Sequence, residues 1–165
     1  MYSAVLLLHS WIRWVALVAG VGTTLAALRG AVGDGSPSSG AGRPVPENSV
    51  ADRWGLVMMM TLDLQLLLGL VLYLVLSPNM QEILNHFGAS MKDPALRFYA
   101  VEHISAMMGA VILAHVGRVL ARKAKTAPAK RTRLIVCAGL ATLLMIAGMP
   151  WPGRPGGRAL FRFSL

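Results

Sequence analysis

The sequence predicts an all-α fold, a transmembrane four-helix up-down bundle. Three observations lead there. The chain has 165 residues, enough for one domain. It is 55% hydrophobic and only 14% charged, against about 25% in an ordinary soluble domain. Its apolar residues gather in four runs of roughly bilayer-crossing length, about 17–25 residues. This balance excludes a disordered or collagen-like chain, and it leaves too little polar surface to cover a soluble core.

The first run, 4–28, is interrupted only by His9 and Arg13. No basic residue precedes it, and it is longer than the apolar region of a signal peptide, so it reads as a retained span. A Gly/Ser/Pro-rich stretch, 30–52, has no hydrophobic period and reads as a flexible loop. The second run, 54–76, carries Asp63 and Gln65. After it, Met80, Ile83, Leu84 and Phe87 recur at helical spacing, which predicts a short amphipathic helix on the membrane surface. Asp93-Pro94 reads as an N-cap and first-turn proline, so the third helix begins there, ahead of its apolar run at 98–120. That run holds Glu102, His103, His115 and Arg118. A basic stretch, 118–133, leads into the fourth run at 134–151, short but free of charge. Inside hydrocarbon every amide must bond within its own segment, so all four runs should be helices.

Charge sets the orientation. The formal net charge is +9. In a chain this apolar it points to a membrane rim, not to nucleic acid. Arg29, Arg43, Arg53, Arg118, Arg122, Lys123, Lys125, Lys130, Arg131 and Arg133 fall on one side, and Lys92, Arg97, Arg154, Arg158 and Arg162 on the other. The positive-inside rule puts the first group in the cytoplasm and both termini outside. Trp54 and Trp151 sit at span ends, where amphipathic rings prefer to lie. The single cysteine, Cys137, allows no internal disulfide and reads as a small apolar residue.

Ionisable groups within spans cost roughly 3 kcal/mol or more unless paired, so each calls for a reason. His9 and His103 each lie five residues into codirectional runs. Both imidazoles then sit roughly 8 Å below the outer edge of the hydrocarbon. Below them Ala16, Gly20, Ala110 and Ala114 are small, with Arg13 and Met107 one turn down. That leaves a slot between helices one and three for one b-type haem held by His9 and His103, lined by Arg13, Ala16, Met107 and Ala110. Close helix packing through small residues, with each histidine bonded to a carbonyl, accounts for the same pattern without a cofactor.

Arg13 is placed to neutralise a haem propionate or to pair with Asp63. His115 has no histidine partner at its depth, which argues against a second bis-histidine haem and suggests a hydrogen bond to Asp63, with a His115–Met59 haem a weaker reading. Glu102 reads either as a solvated acid or as a proton acceptor for a quinol. Met58, Met59 and Met60 point three ways on a helix, which suits apolar filling better than copper. His86 has no partner in the sequence.

The stretches LLLHSWIRWVAL (6–17), LDLQLLLGLVLY (62–73), MKDPALRFYAVEH (91–103) and PWPGRP (150–155) resemble a family of small bacterial four-span integral membrane proteins, largely uncharacterised and sometimes labelled cytochrome b-like. The resemblance implies a multi-pass protein of the bacterial inner membrane, with His9 and His103 inside the family's motifs. In architecture alone the chain also resembles the superoxide-oxidase type of four-helix cytochrome, but it lacks the extra histidines that a second haem needs. The expectation is an electron-transfer protein or subunit more than a stand-alone enzyme. Its partners would be the lipid bilayer, a quinol or a periplasmic redox protein, and other membrane subunits. The alternative is a haem-free accessory subunit of a respiratory or photosynthetic membrane complex, and a small transporter is disfavoured because no repeated pair of broken helices appears.

Overall fold

The computed structural model describes residues 1–33, 45 and 47–161. Most of the loop expected to be flexible (34–44 and 46), with Arg43, lies outside the described residues, as does Arg162. Among the described residues every regular element is helical. Three helical runs are long and apolar enough to cross a membrane: Tyr2–Leu28, Val50–Leu76 and Pro94–Arg122.

Helix α1, Tyr2–Leu28, ends where Gly30 takes a φ of +78°, a left-handed conformation that costs glycine little. Helix α2, Val50–Val71, starts at a reciprocal cap, with Asp52 N–H donating to Ser49 Oγ and Ser49 N–H to Asp52 Oδ2. Its last turn widens into a π-helical stretch, Leu72–Leu76. Short helices α3 (Pro78–Asn85) and α4 (Phe87–Ser90) follow. Met80 and Ile83 of the expected amphipathic helix are buried against Tyr73 and Ala100, while Leu84 and Phe87 point outward. Asp93 caps α5 (Pro94–Arg97) as expected, accepting from the amides of Ala95 and Leu96. The chain then passes through a second π-helical stretch, Phe98–His103, into α6 (Ile104–Arg122).

The basic stretch is not a long loop. Only residues 123–126 separate α6 from α7 (Ala127–Ala147). Thr126 accepts from Ala129 N–H and Pro128 sits in the first turn, so the helix begins early and Lys130, Arg131 and Arg133 lie on it. These three charges leave α7 an apolar stretch that runs only over 134–147 before Gly148 ends the helix. The charges are used locally. Lys130 is fully buried and its Nζ lies 2.7 Å from Asp52 Oδ2. Arg118 and Arg122 reach Glu47, and Arg131 and Arg133 donate to the Leu28 and Leu120 carbonyls near the ends of α1 and α6.

Helix α1 packs on α2 and α7, and α6 packs on α7 and α2, so α1 and α6 face each other across the centre. The core between them is made of small residues and flexible thioethers: Ala16 and Ala19, Met58 and Leu62, Ala110 and Ala114, Ala138, Ala141 and Met145. Small side chains let the backbones approach closely, and methionines fill the irregular remainder.

Candidate functional site

His9 of α1 and His103, the last residue before α6, come together across the centre. Their ring centroids are 6.4 Å apart and the rings are inclined at 71°. His103 lies at the end of the π-helical stretch. A π turn carries one extra residue per turn and shifts the direction of every side chain after it. Gly148, where α7 stops, offers its carbonyl 2.7 Å from His103 Nδ1. A carbonyl can only accept, so Nδ1 carries the proton and Nε2 keeps its lone pair. Phe98 and Tyr99 pack around the same ring, 5.9 and 6.2 Å away between centroids.

On the other side Gln65 Nε2 donates to the His9 carbonyl at 2.8 Å. Among the described residues His9 Nδ1 and Gln65 Oε1 are buried without a hydrogen-bond partner. Gly69, one turn along α2 from Gln65, faces the ring: a Cβ built there would stand 3.3 Å from His9 Cε1.

A cavity of about 450 Å³ opens beside the two imidazoles. Volumes of about 300–1,000 Å³ suit cofactor-sized ligands. Its walls are mostly apolar and come from α1, α2, α3, α6 and α7, the two π-helical stretches and the residues after α7. Of the expected site residues, His9, Arg13, Ala16, His103 and Met107 line it. Ala110 does not; it is fully buried in the small-residue core beneath. A smaller cavity of about 50 Å³, between α2 and α6, reaches the same two histidines.

The C-terminal residues were expected only as a basic tail, and they are part of the site. Trp14 Nε1 and Arg13 Nη2 both donate to the Leu160 carbonyl, Phe161 stacks on Trp14 at 5.1 Å, and Tyr99 donates its hydroxyl to the Gly156 carbonyl. Arg158 thereby lines the main cavity and stands 4.7 Å over the Tyr99 ring. No periodicity marks 151–161 in the sequence, so only the run of Pro, Gly and Arg hinted at an ordered turn.

The remaining polar groups fall elsewhere. Asp63 pairs with His115 and not with Arg13: His115 Nε2 lies 3.4 Å from Asp63 Oδ1. Glu102 pairs with Arg97 at 3.1 Å, half-exposed. Met58 is core, Met60 points outward, and Cys137 is buried against Gly117. Among the described residues no group of three or more His, Cys, Asp or Glu comes together.

Two imidazoles that share one iron need metal–nitrogen bonds of about 2 Å, and with each nitrogen about 1 Å from its ring centre the centroids fall about 6 Å apart. The observed separation fits that requirement, and a porphyrin brings four nitrogens of its own, so two protein ligands suffice. No family model, curated protein or solved structure matches the chain.

Proposed function

We propose that this chain is a membrane b-type cytochrome that carries a single haem between His9 and His103 and exchanges electrons with a quinol or a periplasmic redox protein. The observation that carries this reading is the 6.4 Å approach of the two rings beside a cavity of cofactor size. The bond from His103 Nδ1 to the Gly148 carbonyl supports it, because it presents Nε2 as a ligand and fixes the ring's orientation. A haem held by His9 and His103 would supply one-electron transfer. Met107, Leu6 and Leu62 in the wall keep water from the ring edges, and Arg13 stands ready for a carboxylate.

In this reading α1, α2, α6 and α7 cross the bacterial inner membrane together as an up-down bundle. The uneven distribution of Lys and Arg supports a cytoplasmic basic end and outer termini. The histidines then lie near the outer face. One haem at that level does not span the bilayer, so the cytochrome works as a subunit of a larger complex.

Absorption spectroscopy with a pyridine haemochrome assay on detergent-purified protein tests the reading. The protein should be red, its Soret band should sharpen on dithionite, and His103→Ala should abolish the band. A colourless preparation from cells supplied with haem precursor overturns it.

One observation favours a second reading, a haem-free accessory subunit. The Asp63–His115 pair is nearly half exposed on the outside of α2 and α6, within runs apolar enough to span. Polar groups facing lipid are costly, and a neighbouring subunit would cover them.

A further inference from the structure

The cavity beside His9 and His103 holds two guanidinium groups, Arg13 and Arg158, and among the described residues no Asp or Glu lines it. Neither arginine belongs to an ion pair among those residues. What they touch is neutral. Arg13 Nη2 donates to the Leu160 carbonyl, its Nε is buried without a partner among the described residues, and Arg158 lies over the Tyr99 ring. Among the described residues several other cations do meet acids: Lys130 with Asp52, Arg118 with Glu47, Arg97 with Glu102. Both arginines are partly buried, so a carboxylate entering the mostly apolar chamber would meet two guanidinium groups with no acid beside them.

We infer that Arg13 and Arg158 form a carboxylate clamp, completed by the folded-back C-terminal segment, for a ligand with an apolar body and acidic side arms. Building on the haem reading, those arms would be the two propionates. The planar guanidinium suits this task, because its fork of N–H donors matches a carboxylate in two parallel bonds. Arg158 stands at the cavity because the segment 151–161 is tied down at several places. Among these are Tyr99 to Gly156, Trp14 and Arg13 to Leu160, Trp151 to Ile146, and Phe161 on Trp14. The segment is therefore part of the binding site, and one end of the chain supplies each half of the clamp.

The experiment compares haem with haem dimethyl ester, which keeps the iron and the ring but carries no negative charge. Full-length protein, stripped of haem in detergent, is titrated with each, following the Soret band. The wild type should bind the free diacid at least tenfold more tightly than the ester. Arg158→Gln and Arg13→Gln should each remove most of that preference, read as the ratio of diacid to ester affinity within the same variant, and Arg158→Lys should keep part of it. Circular dichroism on each variant confirms that the helices remain. Equal binding of diacid and ester by the wild type, or a preference that survives the double variant, overturns the clamp while leaving the haem reading intact. If neither porphyrin binds, the haem reading fails and the clamp is decided with cis-parinaric acid against its methyl ester. Preference for the acid that vanishes in Arg158→Gln upholds the clamp, and equal binding overturns it.

Discussion

Lys130 Nζ lies 2.7 Å from Asp52 Oδ2, and the lysine is wholly buried. The pair ties the first turn of α7 to the first turn of α2. The same carboxylate accepts from the Ser49 amide, so one side chain caps a helix and neutralises a buried ammonium.

Removing one partner of a buried ion pair leaves the other uncompensated, at a cost of about 3–5 kcal/mol. Asp52→Ala should therefore be among the most destabilising single changes in the chain. Lys130→Met should be milder, because Asp52 keeps its capping bonds to Ser49. Adding Lys130→Met to Asp52→Ala should recover part of the loss, since the stranded charge disappears. Thermal unfolding in detergent, read by circular dichroism, orders the three. An Asp52→Ala midpoint equal to the wild type's would show that the pair contributes nothing.

Much of the helical frame was legible in the residues, and the exceptions have physical causes. Helix starts at Asp93 and the apolar cores of the three longest helices follow from local rules of capping and composition. The early start of α7 was hidden because Lys130, Arg131 and Arg133 look like loop residues until their partners are known. Those partners, Asp52 and the carbonyls of Leu28 and Leu120, are distant in sequence. The approach of His9 to His103 was foreseeable from matched depth. The Gly148 carbonyl, Gly69 and Arg158 were not, because each belongs to the site through tertiary contacts alone. Arg13 and Asp63 looked like natural partners by depth, but depth does not fix which way a side chain points around its helix, and each finds another neighbour.

Gly69 gives the His9 ring its room. A Cβ there would sit 3.3 Å from Cε1, tighter than ordinary contact, so Gly69→Ala should displace the ring by a few tenths of an ångström. Overpacking of this sort costs about 1–3 kcal/mol. On the haem reading, Gly69→Ala should weaken haem affinity by about fivefold or more (roughly 1 kcal/mol), and Gly69→Leu should abolish binding. Soret titration of stripped protein measures both. Unchanged affinity in Gly69→Leu would remove His9 from the ligand set.

Gly148 works from the other side. A Cβ on it would meet Met107 Cε at 2.6 Å and Ala106 Cβ at 2.7 Å, so Gly148→Ala must push the end of α7 away from α6. The carbonyl that holds His103 Nδ1 moves with it. The expected cost of about 1–3 kcal/mol should lower the thermal midpoint by several degrees. Loss of stability with no change in the His103 environment would separate packing from ring orientation, and His103 imidazole shifts in selectively labelled protein report the latter.

Asp63 and His115 make the last case. His115 Nδ1 is 3.0 Å from the Val111 carbonyl, which only accepts, so Nδ1 donates. Nε2 then faces Asp63 Oδ1 at 3.4 Å. Each single variant removes that contact. Asp63→Asn and His115→Ala should each destabilise the protein, and the double variant should cost less than their sum. Coupling between polar side chains on membrane helices averages about 0.6 kcal/mol and reaches about 1.7 kcal/mol, so a double-mutant cycle by reversible unfolding in mixed micelles should give a value in that span. Strict additivity would mean that the two side chains do not interact.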